Sequence, residues 1–523
     1  MILTLNKTKL NQMKNLINNS MYFLMISLII GCNLEEEPPF LDENLYQDVQ
    51  SAQAARDGIY QSLTTYNTQE RRIFVTGGYS GLLITGKGGN RINSKDNASL
   101  FTLTPGYHMD LEAMWQGLYQ SISRANGAIK AIKTTASPTT NNEKSFNDVA
   151  GHAYFVRAWS YFSLVRLWGD IPLWLDLPSS GNTNKAKSTA AEIYAQIVSD
   201  AKMASDLLNG DAGLGYPKQY AANMLLAKVY MAMASDSSLG SATWQDAYDE
   251  AVKAFGQYSL VSDYGSLFTV SGENSSESIF ELQISQDATN SQMGRNFTPW
   301  KWKKGMHFGW FRVNAFFHDY HVQTYSVNDK RYAATYLSDY TRADNGKPVK
   351  VYPANTTRNR FGNSHPYLFK FTEKDKNHTN QFNSQNIVVY RYAELLLMLS
   401  EISNELGNGQ EMTYLQPVLD RAGVTARNEY SAGKASFRDA IMDEYKFELL
   451  GEGEDSFNNR RRGYQYFVDK TITPHNSSMG KKVQFGAKKY NKTRELMLST
   501  DQSKIMTVDI PLSEINTNEL INN

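Results

Sequence analysis

The chain has 523 residues, 41% hydrophobic and 20% charged, a balance that supports a buried core and excludes wholesale disorder. Lys plus Arg and Asp plus Glu each number 53, so no cationic excess exists to neutralise phosphates, and no nucleic-acid partner is expected. The single cysteine excludes a disulfide within the chain and a metal site built on several thiolates.

That cysteine, Cys32, follows an apolar run over residues 21–30 with Gly31 between. The run is too short to span a bilayer and has the length of a signal-peptide core. Ile29-Ile30-Gly31-Cys32 is similar to a bacterial lipobox, so residues 1–31 read as a signal peptide, with Met13 as an alternative start, and Cys32 as the lipid acceptor. Glu35-Glu36-Glu37-Pro38-Pro39 then has nothing to bury, and residues 32–50 read as an acidic tether. The result is a protein anchored to a membrane and not spanning it.

From Ser51, taken as an N-cap, the period is helical: Ala52, Ala55, Ile59 and Leu63 share a face. Trp115, Leu118, Ile122, Ala125 and Ile129 form a second stripe. Around Phe155 and Trp159 both faces are apolar, which predicts a helix buried on all sides, ending at Gly169-Asp170-Ile171-Pro172. Stripes through Ile193–Leu208, Ala222–Met233 and Trp244–Ala254 follow. Ala221, Ala227, Ala232, Ala247 and Ala251 let the last two approach closely, as in tetratricopeptide pairs, although no strict repeat is visible. Residues 263–385 lose this period and scatter Gly, Asn, Ser, Pro and aromatics; a loop-rich insert of that length is expected to be functional. Helix returns from Tyr390 to Leu406 and from Phe437 to Leu450. Residues 51–523 therefore read as one mainly α domain with helix pairs and a loop-rich face.

Several segments, in this order, resemble the SusD/RagB family: Arg124-Ala125-Asn126; Arg157-Ala158 running to Trp168-Gly169-Asp170-Ile171-Pro172-Leu173; Glu192-Ile193-Tyr194; Asp329-Lys330-Arg331; Arg391-Tyr392-Ala393-Glu394; and Ile510-Pro511-Leu512. One place departs from the family pattern: Glu444-Tyr445 stands where a Glu-Arg pair is usual, and both positions read as packing or ion-pair positions. The resemblance implies a SusD-like fold with four tetratricopeptide-like pairs. It also implies an outer-membrane lipoprotein, facing the cell exterior, that lids a SusC-like TonB-dependent transporter. Family members bind oligo- or polysaccharides for import, and some bind peptides; the role here is expected to be glycan uptake, with peptides or another oligomer as the alternative.

Within the insert, residues 297–312 interleave Trp300, Trp302 and Trp310 with Lys301, Lys303, Lys304 and Arg312. On a strand Trp300 and Trp302 would share one face, where indoles could stack on a sugar ring while the cations donate to hydroxyls or carboxylates. Contact with the transporter and a local aromatic core are the competing readings. A glycine-rich stretch from Gly77 to Gly89 has the Gly81 to Gly86-Lys87 spacing of a phosphate loop, but Gly88 replaces the hydroxyl residue and no βαβ context exists. It reads as an exposed loop presenting Tyr79, Asn90 and Arg91, or as a plain connection. No catalytic residue, metal site or cofactor is expected. Glu394 and Glu401 share a helix face roughly 10 Å apart, beyond the roughly 5 to 9.5 Å of glycosidase carboxylates. His318 and His321 beside Asp319 are only a weak metal pattern. A surface glycoside hydrolase and a purely structural helical-repeat adaptor are the alternatives from other classes.

Overall fold

The computed structural model describes residues 46–85, 109–134, 136, 139, 141–178, 183–210, 212–289, 291–353, 365–478 and 505–522. Cys32 and its flanking segments, Asn90 and Arg91 lie outside these residues. Among the described residues, nine scaffold helices carry the core: α1 Val49–Thr64, α2 Met109–Thr134, α3 Glu143–Trp168, α4 Ala190–Leu207, α5 Gln219–Ser235, α6 Trp244–Ala254, α7 Tyr392–Leu406, α8 Glu411–Ala422 and α9 Lys434–Leu449. Consecutive helices pack on one another from α1 through α6, and α7 then packs on α6, α8 and α9. The scaffold is thus a solenoid of helix pairs in which α1 to α8 bury their stripes against sequence neighbours and α9 folds back on α7. Among the described residues, no helix is long and apolar enough to cross a membrane.

The local chemistry explains the boundaries. Asp48, not Ser51, caps α1: its carboxylate accepts from the Ser51 N–H at 2.8 Å, and Ser51 is the third residue of a capping box. The cap had to lie three residues earlier because Ala52 already belongs to the buried face. Helix α3 is buried on all sides, as its composition predicts, and ends at Gly169 with φ +71°. Gly151 sits in its middle because a Cβ there would approach the Leu208 backbone nitrogen at the end of α4 to 2.9 Å. The alanines expected between α5 and α6 are fully or almost fully buried. Helix α7 starts at Tyr392 rather than Tyr390, because Ile387–Arg391 is a strand.

That strand pairs antiparallel with Ser278–Leu282 (Ile387 opposite Leu282), so the two ends of the insert leave the scaffold side by side. Beyond this base, Phe311–Val313 lies between Leu83–Thr85 and Tyr367–Leu368, and Tyr336–Leu337 completes a four-stranded sheet. The sheet ties the insert to the chain's N-terminal segment. The helix Ala315–Tyr325, capped by Asn314, gave no sequence signal because His318, Asp319 and His321 occupy its buried face alongside Phe317.

Candidate functional site

The aromatic and cationic segment is held from below by a ring cluster. Phe74 stacks on Phe311 at 4.1 Å, and Phe297 lies 5.4 Å from Phe311 and 5.3 Å from Phe371. The segment leaves this base after the short helix Met293–Phe297 and returns beside it, the N–H groups of Phe308 and Trp310 donating to the Arg295 and Asn296 carbonyls at 2.8 and 2.7 Å.

Between these ties the chain turns instead of extending. The Trp302 N–H donates to the Pro299 carbonyl at 3.1 Å, and Lys301 takes φ +65°, a conformation costly for any residue with a Cβ. The turn sends the two indoles to opposite sides, so the expected shared strand face does not exist. Trp300 is 53% exposed and Trp302 is 9% exposed. Trp302 packs in a second small core with Tyr340, Val351 and Tyr367, and its indole N–H donates to the Glu373 carbonyl at 2.8 Å. A local aromatic core therefore describes Trp302. The sequence could have signalled this only through the distant Tyr340 and Tyr367.

A buried imidazole holds the turn. His307 Nε2 accepts the Lys301 N–H at 2.8 Å. Burial, then the Lys303 charge, push its pKa down to about 4, so near neutral pH the ring is uncharged and keeps this lone pair. Lys303 is itself buried, its ammonium donating to the His378 carbonyl at 2.7 Å. Arg312 is buried too, its guanidinium 3.8 Å from the Tyr367 ring centre and donating to the Tyr367 hydroxyl and the His365 carbonyl. Neither presents its charge to a ligand as expected; both satisfy polar groups of the insert, whose long irregular backbone must find partners somewhere.

What faces outward is the Trp300 indole with two cations about it. Arg342 places its guanidinium carbon 4.8 Å from the ring centre and the Lys301 ammonium lies at 5.3 Å. Asp344 fixes Arg342 through bonds of 2.8 and 2.6 Å, and the Tyr340 hydroxyl donates to the Trp300 carbonyl at 2.6 Å. Arg342 and Asp344, 42 and 44 residues downstream, come from a hairpin, and no sequence signal linked them to Trp300. Trp310 is half-buried and stacks on Phe308 at 4.5 Å with planes 5° apart, while Arg295 covers Phe308 at 4.5 Å. Met306 adds another exposed apolar side chain.

Tyr79 is not on an exposed loop. It ends the helix Arg71–Tyr79, is 1% exposed, and lies under the Arg460 guanidinium at 4.9 Å. The remaining sequence candidates are engaged internally. Glu394 pairs with Lys228 at 2.5 Å and Glu401 with Arg461 at 2.7 Å. His318 bonds Asp319 and Tyr332, each at 3.0 Å, and His321 bonds Asp329 and Tyr336 at 2.9 and 2.8 Å. Glu444, at the departure from the family pattern, accepts from Arg331 at 2.5 Å and from Tyr325 at 2.7 Å.

Residues 274–523 match the family described as "SusD family", and residues 33–231 match the one described as "Starch-binding associating with outer membrane". Two SusD-like proteins of Formosa agariphila are 25% and 26% identical over 473 and 470 residues, 83% and 82% of this chain and 88% of each relative. Among solved structures, a SusD homolog from Bacteroides thetaiotaomicron superposes with a TM-score of 0.75 at 20% identity, over 92% of this chain and 97% of its own. Surface glycan-binding protein A from Bacteroides thetaiotaomicron, in complex with laminarihexaose, superposes with a TM-score of 0.69 at 20% identity, over 89% and 97%. With its solenoid of helix pairs, its inserted loop-rich face and both halves matched, this chain belongs to the SusD/RagB family.

Proposed function

We propose that the protein binds a glycan at the outer membrane surface and passes it, chemically unchanged, to a SusC-like TonB-dependent transporter, held in place by a lipid on Cys32. The observation that carries this reading is the Trp300 indole, a large apolar surface left exposed on a turn whose backbone is held by His307 and Tyr340. An aromatic ring held rigidly in water gains contact area at little conformational cost when a sugar C–H face stacks on it. Arg342 and Lys301 beside it supply donors for hydroxyl or carboxylate oxygens. Trp310 on Phe308 is a second aromatic surface on the same segment. The structural relative that carries laminarihexaose and the starch-binding family description support a sugar over a peptide.

The reading is tested by calorimetric titration of the purified protein with laminarihexaose, cellohexaose, maltohexaose and hexagalacturonate, alongside an assay for new reducing ends. Saturable binding of at least one hexasaccharide with no reducing ends released is expected. Absence of binding across soluble and polymeric glycans, or turnover abolished by one Asp or Glu substitution, contradicts it.

A further inference from the structure

A second cleft, sharing no residue with the Trp300 surface, lies where the loop before α5, the turn after α6 and the base strand Ser278–Leu282 meet. Its volume is about 390 Å³, within the roughly 300–1,000 Å³ of small-ligand sites. The walls are fixed to one another. The Ser259 N–H donates to the Ser276 carbonyl at 3.0 Å, the Glu281 N–H donates to the Gly215 carbonyl at 3.1 Å, and the Asn274 and Gln283 side-chain amides bond reciprocally at 3.0 and 2.9 Å. The cleft is therefore formed before any ligand arrives, which lowers the ordering cost of binding.

Its chemistry is specific. The half-buried Tyr258 lines it, its ring edge-on to Tyr220 at 6.1 Å, and Leu214 stands 75% exposed on the rim. Gln257, Ser259, Ser275, Ser276 and Ser278 add hydroxyl and amide groups, and Gly213 and Gly256 leave bare peptide at the mouth. The Ser278 hydroxyl lies behind this surface, shielded from solvent, so the exposed Gln257, Ser259 and Ser276 present the polar groups a ligand would meet. No described residue lining the cleft carries a carboxylate, and Lys218 contributes the one charge. The nearby Glu281 is buried behind Asn274, its oxygens held by the Asn274 N–H at 3.1 and 3.2 Å.

An aromatic ring, a dense set of neutral hydroxyls and amides, and a cation without an opposing acid suit a hydroxyl-rich ligand that is neutral or negatively charged. Resting on the glycan reading above, we infer that this cleft is a second sugar subsite that takes a short stretch of a neutral or acidic glycan. One chain then engages a glycan at two separate points, and long polymers bind more tightly than short ones through effective concentration.

The test is calorimetry with the hexasaccharides named above, on wild type, Trp300→Ala, Tyr258→Ala, and Gln257→Ala plus Lys218→Ala. The last two positions are exposed, so these changes leave the fold intact even where Tyr258→Ala disturbs it. Wild type is expected to bind two molecules. Tyr258→Ala weakens one of the two events about 5- to 150-fold, by analogy with aromatic stacking on bases, and Gln257→Ala weakens the same event. Lys218→Ala weakens only hexagalacturonate, and Trp300→Ala weakens the other event by a similar factor. A stoichiometry of one, with an affinity that Trp300→Ala weakens and that Tyr258→Ala and Gln257→Ala leave unchanged, overturns the second subsite and leaves the glycan reading standing. A wild type that binds no glycan overturns both.

Discussion

His307 and Lys301 decide what the aromatic segment does. Lys301 adopts its left-handed conformation because its N–H is held by a neutral imidazole, and this turn separates an exposed indole from a buried one. The folded pKa of His307 is about 4 against an ordinary value of 6.5. In that window the unfolded chain takes up a proton that the folded chain refuses, so stability rises with pH there. The contribution is complete above about pH 6.5 and declines as pH falls towards 4. Thermal melts of wild type and His307→Phe across this range check it: the wild type is expected to lose melting temperature more steeply on acidification, and parallel curves would count against the tie. The residue scale was only partly legible in the sequence. The cluster of indoles and cations was visible, but strand alternation assigned Trp300 and Trp302 to one face, because a turn stabilised by a histidine five residues after Trp302 has no local signature. Tyr79 was misplaced for a related reason: a Gly-rich neighbourhood suggested loop, whereas Gly77 sits inside a helix packed against Leu83.

At the scale of elements, the insert is joined to the scaffold by buried ions. Arg391, at the end of the base strand, donates to Glu452 at 2.7 Å, Glu277 at 2.9 Å and Glu448 at 2.5 Å. Glu448 on α9 also binds Arg421 of α8 and Arg331. All of these side chains are almost completely shielded from water. Removing one partner of such a set leaves charges unpaired, so Glu448→Ala is expected to cost about 3–5 kcal/mol, measured by denaturant unfolding. A loss below 1 kcal/mol would show that the network contributes little. Burial opposes ionisation of Glu448, but Arg421, Arg391 and Arg331 together hold its pKa far below the ordinary 4.5. Its contribution is therefore present above about pH 4.5 and fades as pH falls below that value. Helix stripes made α1 to α7 and α9 readable, since each buries an apolar face against another scaffold helix; α8, which carries Pro417 inside it, was not read from the sequence. The network was not readable, because its pairs lie from 27 to 117 residues apart on different elements and each member looks like an ordinary surface charge.

For the whole molecule, the apolar run before Cys32 makes that cysteine the proposed lipid acceptor. If Cys32 carries the lipid, Cys32→Ala is expected to move the protein from the membrane fraction to the soluble fraction and to lose acyl label; a variant that stays membrane-bound and labelled would exclude this anchor. The fold class and family were legible because helical periodicity and ordered short motifs run along the chain. The surface proposed to take the ligand was legible only in part: Trp300 and Lys301 stood out, but Arg342 and Asp344 are brought to Trp300 by a hairpin across the insert. The most direct measurement of that face compares Trp300→Ala with Trp302→Ala in melting and in hexasaccharide affinity. Trp300→Ala is expected to melt like wild type and to lose about 1–3 kcal/mol of binding, by analogy with stacking on bases. Trp302→Ala is expected to lose about 3–5 kcal/mol of stability. A Trp300→Ala protein that binds the sugar as tightly as wild type would contradict the account.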